Sequence, residues 1–240
     1  MSNVAIIGYG NVGYHFARAL SKRHRVSIYS RNHGEDHINS ISTFKAVGYD
    51  FILLTVPDDR VKEISNSLEV SEAIVLHTSG SRPISDLEAH NRCGVIYPLQ
   101  TFTKNTDVDF KSVQLFVEGK ENTLRIVDEF ARQISDQVKI LNSIDRAKLH
   151  LAAVFACNFS NHMFHIAEET LEEIGLNFSD IRSLVDETVR KAMEFKPSKT
   201  QTGPAVRNDV ATLAKHGVLI ADEDTRELYR IITKSIQKKQ

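Results

Sequence analysis

Cysteine is scarce in this 240-residue chain: Cys93 and Cys157 are the only two. That excludes a disulfide framework, and because both lie in apolar segments, both are expected to be buried reduced thiols. Neither sign of charge is in surplus. Lys+Arg number 30 and Asp+Glu 31, for a formal net charge of −1, whereas a general polyanion binder would carry a basic excess, so no nucleic-acid partner is expected. Long hydrophobic runs are missing. The most apolar stretch, Leu151 to Cys157, falls far short of the roughly 20 residues of a membrane span, so no membrane partner is expected. The opening Met1-Ser2-Asn3-Val4 has no basic region and runs directly into a strand pattern, which predicts no secretory leader and a cytoplasmic protein. Repeats, low-complexity tracts and long linkers are absent as well.

What is present is an α/β pattern followed by an all-helical one. Residues 4–7, 26–29, 51–56, 73–77, 95–97, 115–117 and 138–141 read as strands, and most are continuous apolar runs suited to a parallel sheet buried on both faces. Helical patterns lie between them, beginning with Val12, Phe16, Ala19 and Leu20, and the alternation predicts a doubly wound, Rossmann-like parallel sheet. From about 143 to 175 the chain has neither Pro nor Gly until Gly175, and a long helix is expected, followed by helices over 179–195, 204–216 and 222–238. The expected division is an α/β domain over 1–142 and a helical domain over 143–240.

Gly8-Tyr9-Gly10-Asn11-Val12-Gly13 is G-x-G-x-x-G between the first strand and the first helix. In that context Gly8 permits the tight turn, Gly10 admits a pyrophosphate to the backbone, and Gly13 allows helix and strand to approach. The helix N-terminus offers its free N–H groups to the phosphates. The second strand ends in Ser30-Arg31-Asn32-His33, with Glu35 and Asp36 only later, in place of the acid that usually binds an NAD ribose. Ser30 and Arg31 suit a 2′-phosphate, so the expected cofactor is NADP. Three further strand ends are polar: Val56-Pro57-Asp58-Asp59, His77-Thr78-Ser79-Gly80 and Tyr97-Pro98-Leu99-Gln100-Thr101-Phe102. They are expected to share the crevice beyond the carboxyl ends of the strands, with Val56, Pro57 and Thr78 touching the cofactor.

These motifs resemble NADP oxidoreductases of the pyrroline-5-carboxylate reductase-like and 6-phosphogluconate dehydrogenase-like superfamily. The fuller resemblance is to a family that pairs a Rossmann-like domain with a helical domain of unknown function. It is carried by Gly8–Gly13, His77–Gly80, Pro98–Phe102, the helix around His150–Phe159, Thr202-Gly203-Pro204, Arg207 and Asp209. The resemblance implies a homodimer formed through the C-terminal helices near each cofactor site, and it supplies no substrate. Where that family often has His before Pro-Leu-Gln-Thr-Phe, this chain has Tyr97, so a proton-transfer role for that His does not carry over.

The candidates for chemistry are His77, Ser79, His150 and Asn158. His77 ends a strand and has the pKa range for proton exchange, Ser79 stands beside it, and His150 and Asn158 are polar residues in an apolar helix. A straight α-helix would place Asn158 about 80° around from His150 and about 12 Å along the axis, to face either a ligand or a dimer partner. Related hydroxyacid dehydrogenases carry a Lys four residues before an Asn on this helix. Here Val154 precedes Asn158 and Ala152 follows Lys148 at that spacing, which argues against their mechanism. His162, His165 and Glu169 share a helix face but lack a fourth ligand, so no metal is expected. The reading is an NADP-dependent oxidoreductase acting on a small carbonyl or imine, with a non-catalytic NADP-binding sensor or scaffold as the alternative.

Overall fold

A computed structural model describes residues 1–31, 37–70 and 72–239. Asn32, His33, Glu35 and Asp36, which follow Ser30 and Arg31 in the sequence, lie outside the described residues. The chain divides into two compact units, Met1–Asn158 and Phe159–Gln240.

The first unit is built on strands β1 (Asn3–Ile7), β2 (Arg25–Ser30), β3 (Ile38–Ser40), β4 (Phe51–Leu54), β5 (Ile74–His77), β6 (Cys93–Leu99), β7 (Gln114–Gly119) and β8 (Val138–Ile140). They form one sheet in the order β3-β2-β1-β4-β5-β6-β7-β8. Helices α1 (Asn11–Leu20), α2 (Val61–Ser67) and α3 (Glu121–Arg132) connect its parallel strands. The sheet is covered on both faces, as the continuous apolar strands require. One buried cluster joins Val4, Ile6, Phe16, Leu53, Leu76 and Phe130, and the other joins Ala5, Ile7, Ile52, Leu54, Val75 and Leu87.

The sheet departs from the expected parallel order at one place: β6 and β7 pair antiparallel, with Gly94 opposite Gly119 and Leu99 opposite Gln114. A parallel pair needs a crossover, usually a helix. Between these strands the chain offers only a loop and the short 3₁₀ turn Phe110–Ser112, so β7 returns beside β6.

After β8, helix α4 (Ser143–Ala153) begins at Asn142, whose side chain accepts a hydrogen bond from the Asp145 backbone N–H at 2.9 Å. A π-helical turn, Val154–Phe159, follows it. The expected division at 142/143 marks the end of the sheet, while α4 and most of the π-turn pack with the first unit.

The second unit comprises α5 (Ser160–Glu172), α6 (Arg182–Glu194), α7 (Pro197–Thr200), α8 (Val210–Leu219) and α9 (Glu223–Lys238). Helix α8 does not start at Pro204 as expected. Gly203 and Asn208 adopt left-handed backbone conformations, with φ of 105° and 52°, which interrupt any helix through that segment. Asp209 then caps α8 by accepting from the Thr212 backbone N–H. Among the described apolar residues of this unit only Ala205 is buried.

Candidate functional site

The glycine loop is clamped between two strand ends. The Gly8 N–H donates to the Tyr29 carbonyl at 2.8 Å, and the Thr55 hydroxyl donates to the Gly8 carbonyl at 2.7 Å. The three glycines meet different surroundings. A Cβ on Gly8, where φ is +102°, would lie 2.5 Å from the Thr55 carbonyl oxygen, and one on Gly13 would lie 2.4 Å from the Gly8 carbonyl oxygen. A Cβ on Gly10 would have nothing within 4 Å. Gly8 and Gly13 are therefore demanded by the protein's own packing, and Gly10 is not. Gly10 is also the N-cap of α1, which has no side-chain cap and no acid in its first turn, so the N–H groups there are left for an incoming anion.

A cavity of about 530 Å³ opens beside this loop. Ile7, Gly8, Tyr9 and Gly10 form one wall, Val56, Pro57 and Ile64 another, and Ser30 with Arg31 a third. Arg60 and Lys104 also line it. Among the described lining residues there are three cations and no carboxylate. The segment after β6 folds back over the loop: the Lys104 backbone N–H donates to Asn11 Oδ1 at 3.1 Å, and its ammonium stands 4.6 Å from the centre of the Tyr9 ring. His15 stacks on Phe102 and bonds the Thr103 carbonyl at 2.8 Å, which fixes that fold-back. Asn11, Val12 and Gly13 lie in the first turn of α1 and Thr78 at the neighbouring strand end, outside the lining of this cavity. Arg60 and Lys104 escaped the sequence reading. The cation closing Val56-Pro57-Asp58-Asp59-Arg60 was a usable signal for the first, but nothing local foretold the return of Lys104.

At the other side of the crevice His77 and Ser79 are tied into one loop. His77 is fully buried at the end of β5. Its Nδ1 accepts from the Ser79 backbone N–H at 3.2 Å. Burial first, and the Arg146 guanidinium second, push its pKa down to about 4. Ser79 is buried too, and its Oγ accepts from the backbone N–H groups of Ser81 and Arg82 at 3.2 and 3.0 Å, so that hydroxyl organises its own loop.

Because His77 stays neutral in the fold, its depressed pKa links folding to pH. Its contribution to stability is complete above the unfolded imidazole value of 6.5 and is lost as pH falls toward 4. We expect His77→Asn to flatten the acid limb of a stability-against-pH curve by up to about 3 kcal/mol. Chemical denaturation at pH 7 and pH 4 checks this, and parallel curves for the two proteins would refute it.

His150, half-buried on α4, meets Tyr97 of β6 instead: the Tyr97 hydroxyl and His150 Nδ1 are 3.1 Å apart. Both rings press on Gly80, where a Cβ would lie 2.8 Å from each. The π-turn takes one residue more per turn than an α-helix. It therefore sets Asn158 back by up to about 100°, leaving it roughly 20° from the azimuth of His150 rather than about 80°. Asn158 is exposed on that face. Cys157, in the same turn, is exposed, whereas Cys93 is buried. The expectation for Cys157 fails because residues 155–159 are all exposed, so this apolar segment is not a buried one.

The first turn of α4 is fastened by a buried ion pair. Arg146 is wholly buried and pairs with Glu118 of β7, which also accepts from Ser143 N–H at 3.0 Å, while a second Arg146 nitrogen donates to the Arg82 carbonyl at 2.5 Å. In the second unit, His165 stands 3.5 Å from Glu169, and no group of described residues is arranged to hold a metal ion. Arg207 is exposed in the turn before α8. No helix among the described residues is long and apolar enough to cross a membrane.

An open, mostly parallel sheet with a glycine loop at its carboxyl edge and helices after it defines a Rossmann-like, dehydrogenase-type protein. The chain belongs to the family of the domain of unknown function DUF2520, which matches residues 113–236. Among solved structures it is similar to a "putative NADP oxidoreductase" from Bacteroides fragilis, with 33% identity over 99% of this chain and 98% of that one, at a TM-score of 0.88. A protein from Thermotoga maritima shares the fold at 20% identity, 98% coverage of each chain and a TM-score of 0.79. So does a reductive aminase from Aspergillus terreus in complex with NADPH and ethyl levulinate, at 12% identity, 99% and 94% coverage and a TM-score of 0.74. No curated protein matches the chain.

Proposed function

We propose that the protein is an NADP-dependent oxidoreductase that reduces a small carbonyl or imine and works as a homodimer. The observation that carries this reading is the glycine loop with an open position at Gly10, set beside a cavity lined by Ser30, Arg31, Arg60 and Lys104 and by no described carboxylate. A 2′-phosphate would be bound well by those groups, and an NAD ribose would find no acid among the described lining residues. Gly8, Tyr9, Gly10, Asn11, Val12, Gly13, Ser30, Arg31, Val56, Pro57 and Thr78 form the cofactor-binding set in this reading. The Bacteroides fragilis relative, described as a "putative NADP oxidoreductase", and the fungal reductive aminase, solved with NADPH, support the same class.

A reduced nicotinamide supplies the hydride in such a reaction, and the protein positions the substrate and manages a proton. His150 and Asn158, on one face of the helix, are the residues we assign to the reacting side. His77 and Ser79 hold the loop between them and the cofactor cleft. Residues 1–142 act as the cofactor domain, and 143–240 as the dimerisation and substrate domain. The second unit leaves Met193 83% and Val218 85% exposed, with Leu184 and Leu219 also exposed, more apolar surface than a free helical unit normally presents. A second copy of the chain is our proposed cover, and a monomer mass by sedimentation at micromolar concentration would overturn it.

Titration with NADPH and NADH, read by nicotinamide fluorescence in a chain that has no tryptophan, tests the cofactor. We expect NADPH to bind at least about tenfold more tightly, and Arg31→Ala to erase most of that preference, since a charge-assisted contact contributes about 1.5–3 kcal/mol. Equal affinity, or a preference for NADH, overturns the assignment. The missing Lys-Asn pair favours a second reading, an NADP-binding sensor. NADPH binding without oxidation of NADPH by 2-oxo acids, cyclic imines or aldehydes would select it.

A further inference from the structure

We propose that His150 is the proton-bearing group of the crevice and that Tyr97 is the residue that positions it. This rests on the oxidoreductase reading above.

In the strand order, β2, which carries Ser30 and Arg31, lies on one side of the glycine loop, and β4, β5 and β6 lie on the other. A dinucleotide whose phosphorylated ribose sits at Ser30 and Arg31 extends its far end toward β4–β6. Ile7, Leu54, His77 and Val95 are level across β1, β4, β5 and β6. Tyr97 stands two residues beyond that level, at the crevice edge, roughly 14 Å from β1 by three inter-strand steps. His77 lies one layer too deep to reach a substrate. His150 reaches the same place from α4, and its ring is held by the Tyr97 hydroxyl at 3.1 Å and by the backbone of Gly80.

The pairing fixes which nitrogen does what. Tyr97 is nearly buried, and burial first, then the negative charge of Asp58, push its phenol pKa up. It therefore stays a phenol. In protonated His150 both nitrogens donate: Nδ1–H is taken up by the Tyr97 oxygen, so Nε2–H is left for the crevice. The charged and titratable groups around the pair are Asp58, Arg146 and Cys157. A reduced nicotinamide bound in the cleft would supply the hydride, two electrons, to the substrate carbon and would itself be oxidised. The substrate oxygen, or the nitrogen of an imine, takes the Nε2 proton as its π bond breaks. The ring is left neutral, and solvent returns the proton. A Tyr at position 97 thus does not delete an acid from the strand end; it braces one supplied by the helix.

The test combines nitrogen-15 NMR of the histidine rings in the whole protein with NADPH oxidation by the panel above. We expect the neutral His150 ring to carry its proton on Nδ1, toward the Tyr97 oxygen. In Tyr97→Phe, which keeps the ring's bulk, that tautomeric bias is lost. We expect His150→Gln to lower kcat about 100-fold and Tyr97→Phe about 10-fold, both with unchanged NADPH affinity. The proposal is overturned if the His150 resonances are the same in Tyr97→Phe, or if His150→Gln keeps wild-type turnover. Loss of NADPH binding in the wild type would sink the oxidoreductase reading instead, and the ring spectra would still decide the pairing.

Discussion

Arg146→Ala is expected to destabilise the protein by about 3–5 kcal/mol, the usual cost of leaving one member of a buried ion pair alone. Arg146 is wholly buried, and among the described residues Glu118 pairs with no other guanidinium. Its removal also strands the Arg82 carbonyl, which accepts from it at 2.5 Å. The loss would spread beyond the pair, because Glu118 holds Ser143 as well, and the Ser143 hydroxyl accepts from the Ile84 N–H at 2.9 Å. One cluster therefore joins β7, the loop after β5 and the first turn of α4. His150 lies four residues after Arg146 and so on the same helix face, which makes that face only as well placed as its anchor. A double-mutant cycle with Glu118→Gln, followed by urea unfolding, measures the coupling. An Arg146→Ala loss below about 1 kcal/mol would mean that the cluster does not anchor α4.

What the sequence made legible was what local sterics decide. The glycine loop could be read because a tight strand-to-helix turn admits few residues, and the strands could be read because burial on both faces leaves continuous apolar runs. Non-local return was not legible. Lys104 reaches Asn11 across a loop with no periodic pattern, and Tyr97 meets His150 across 53 residues. Antiparallel β7 follows from the missing crossover helix, which counting strands does not reveal. His77 shows a different limit. Its place at a strand end was correct, but strand position does not say whether a polar side chain turns outward or is sealed beneath its own loop. The π-turn was hidden for a geometric reason: any reading at a fixed 100° per residue projects Asn158 onto the wrong side of the helix.

The three loop glycines should separate stability from binding when each is replaced by alanine. Gly8→Ala combines a left-handed φ of +102° with a Cβ 2.5 Å from the Thr55 carbonyl oxygen. The penalty is about 1–2 kcal/mol for the conformation plus about 1–3 kcal/mol for overpacking against backbone. Gly13→Ala lacks the strained φ but drives its Cβ to 2.4 Å from the Gly8 carbonyl oxygen and 2.6 Å from the Thr55 hydroxyl. It should therefore cost the overpacking alone. Gly10→Ala meets no protein atom within 4 Å, and its φ of −76° and ψ of −165° suit any residue. Its stability should change by no more than about 1 kcal/mol, the span between Gly and Ala at an N-cap. NADPH affinity is where Gly10→Ala should show its effect. The new methyl group points into the space that a pyrophosphate needs against the α1 N-terminus, so a loss of about 100-fold is expected from crowding and lost N–H contacts. Thermal unfolding and NADPH titration of the same three proteins give the answer. If Gly10→Ala unfolds early and still binds NADPH normally, the open position belongs to the protein's own packing and the phosphate site lies elsewhere.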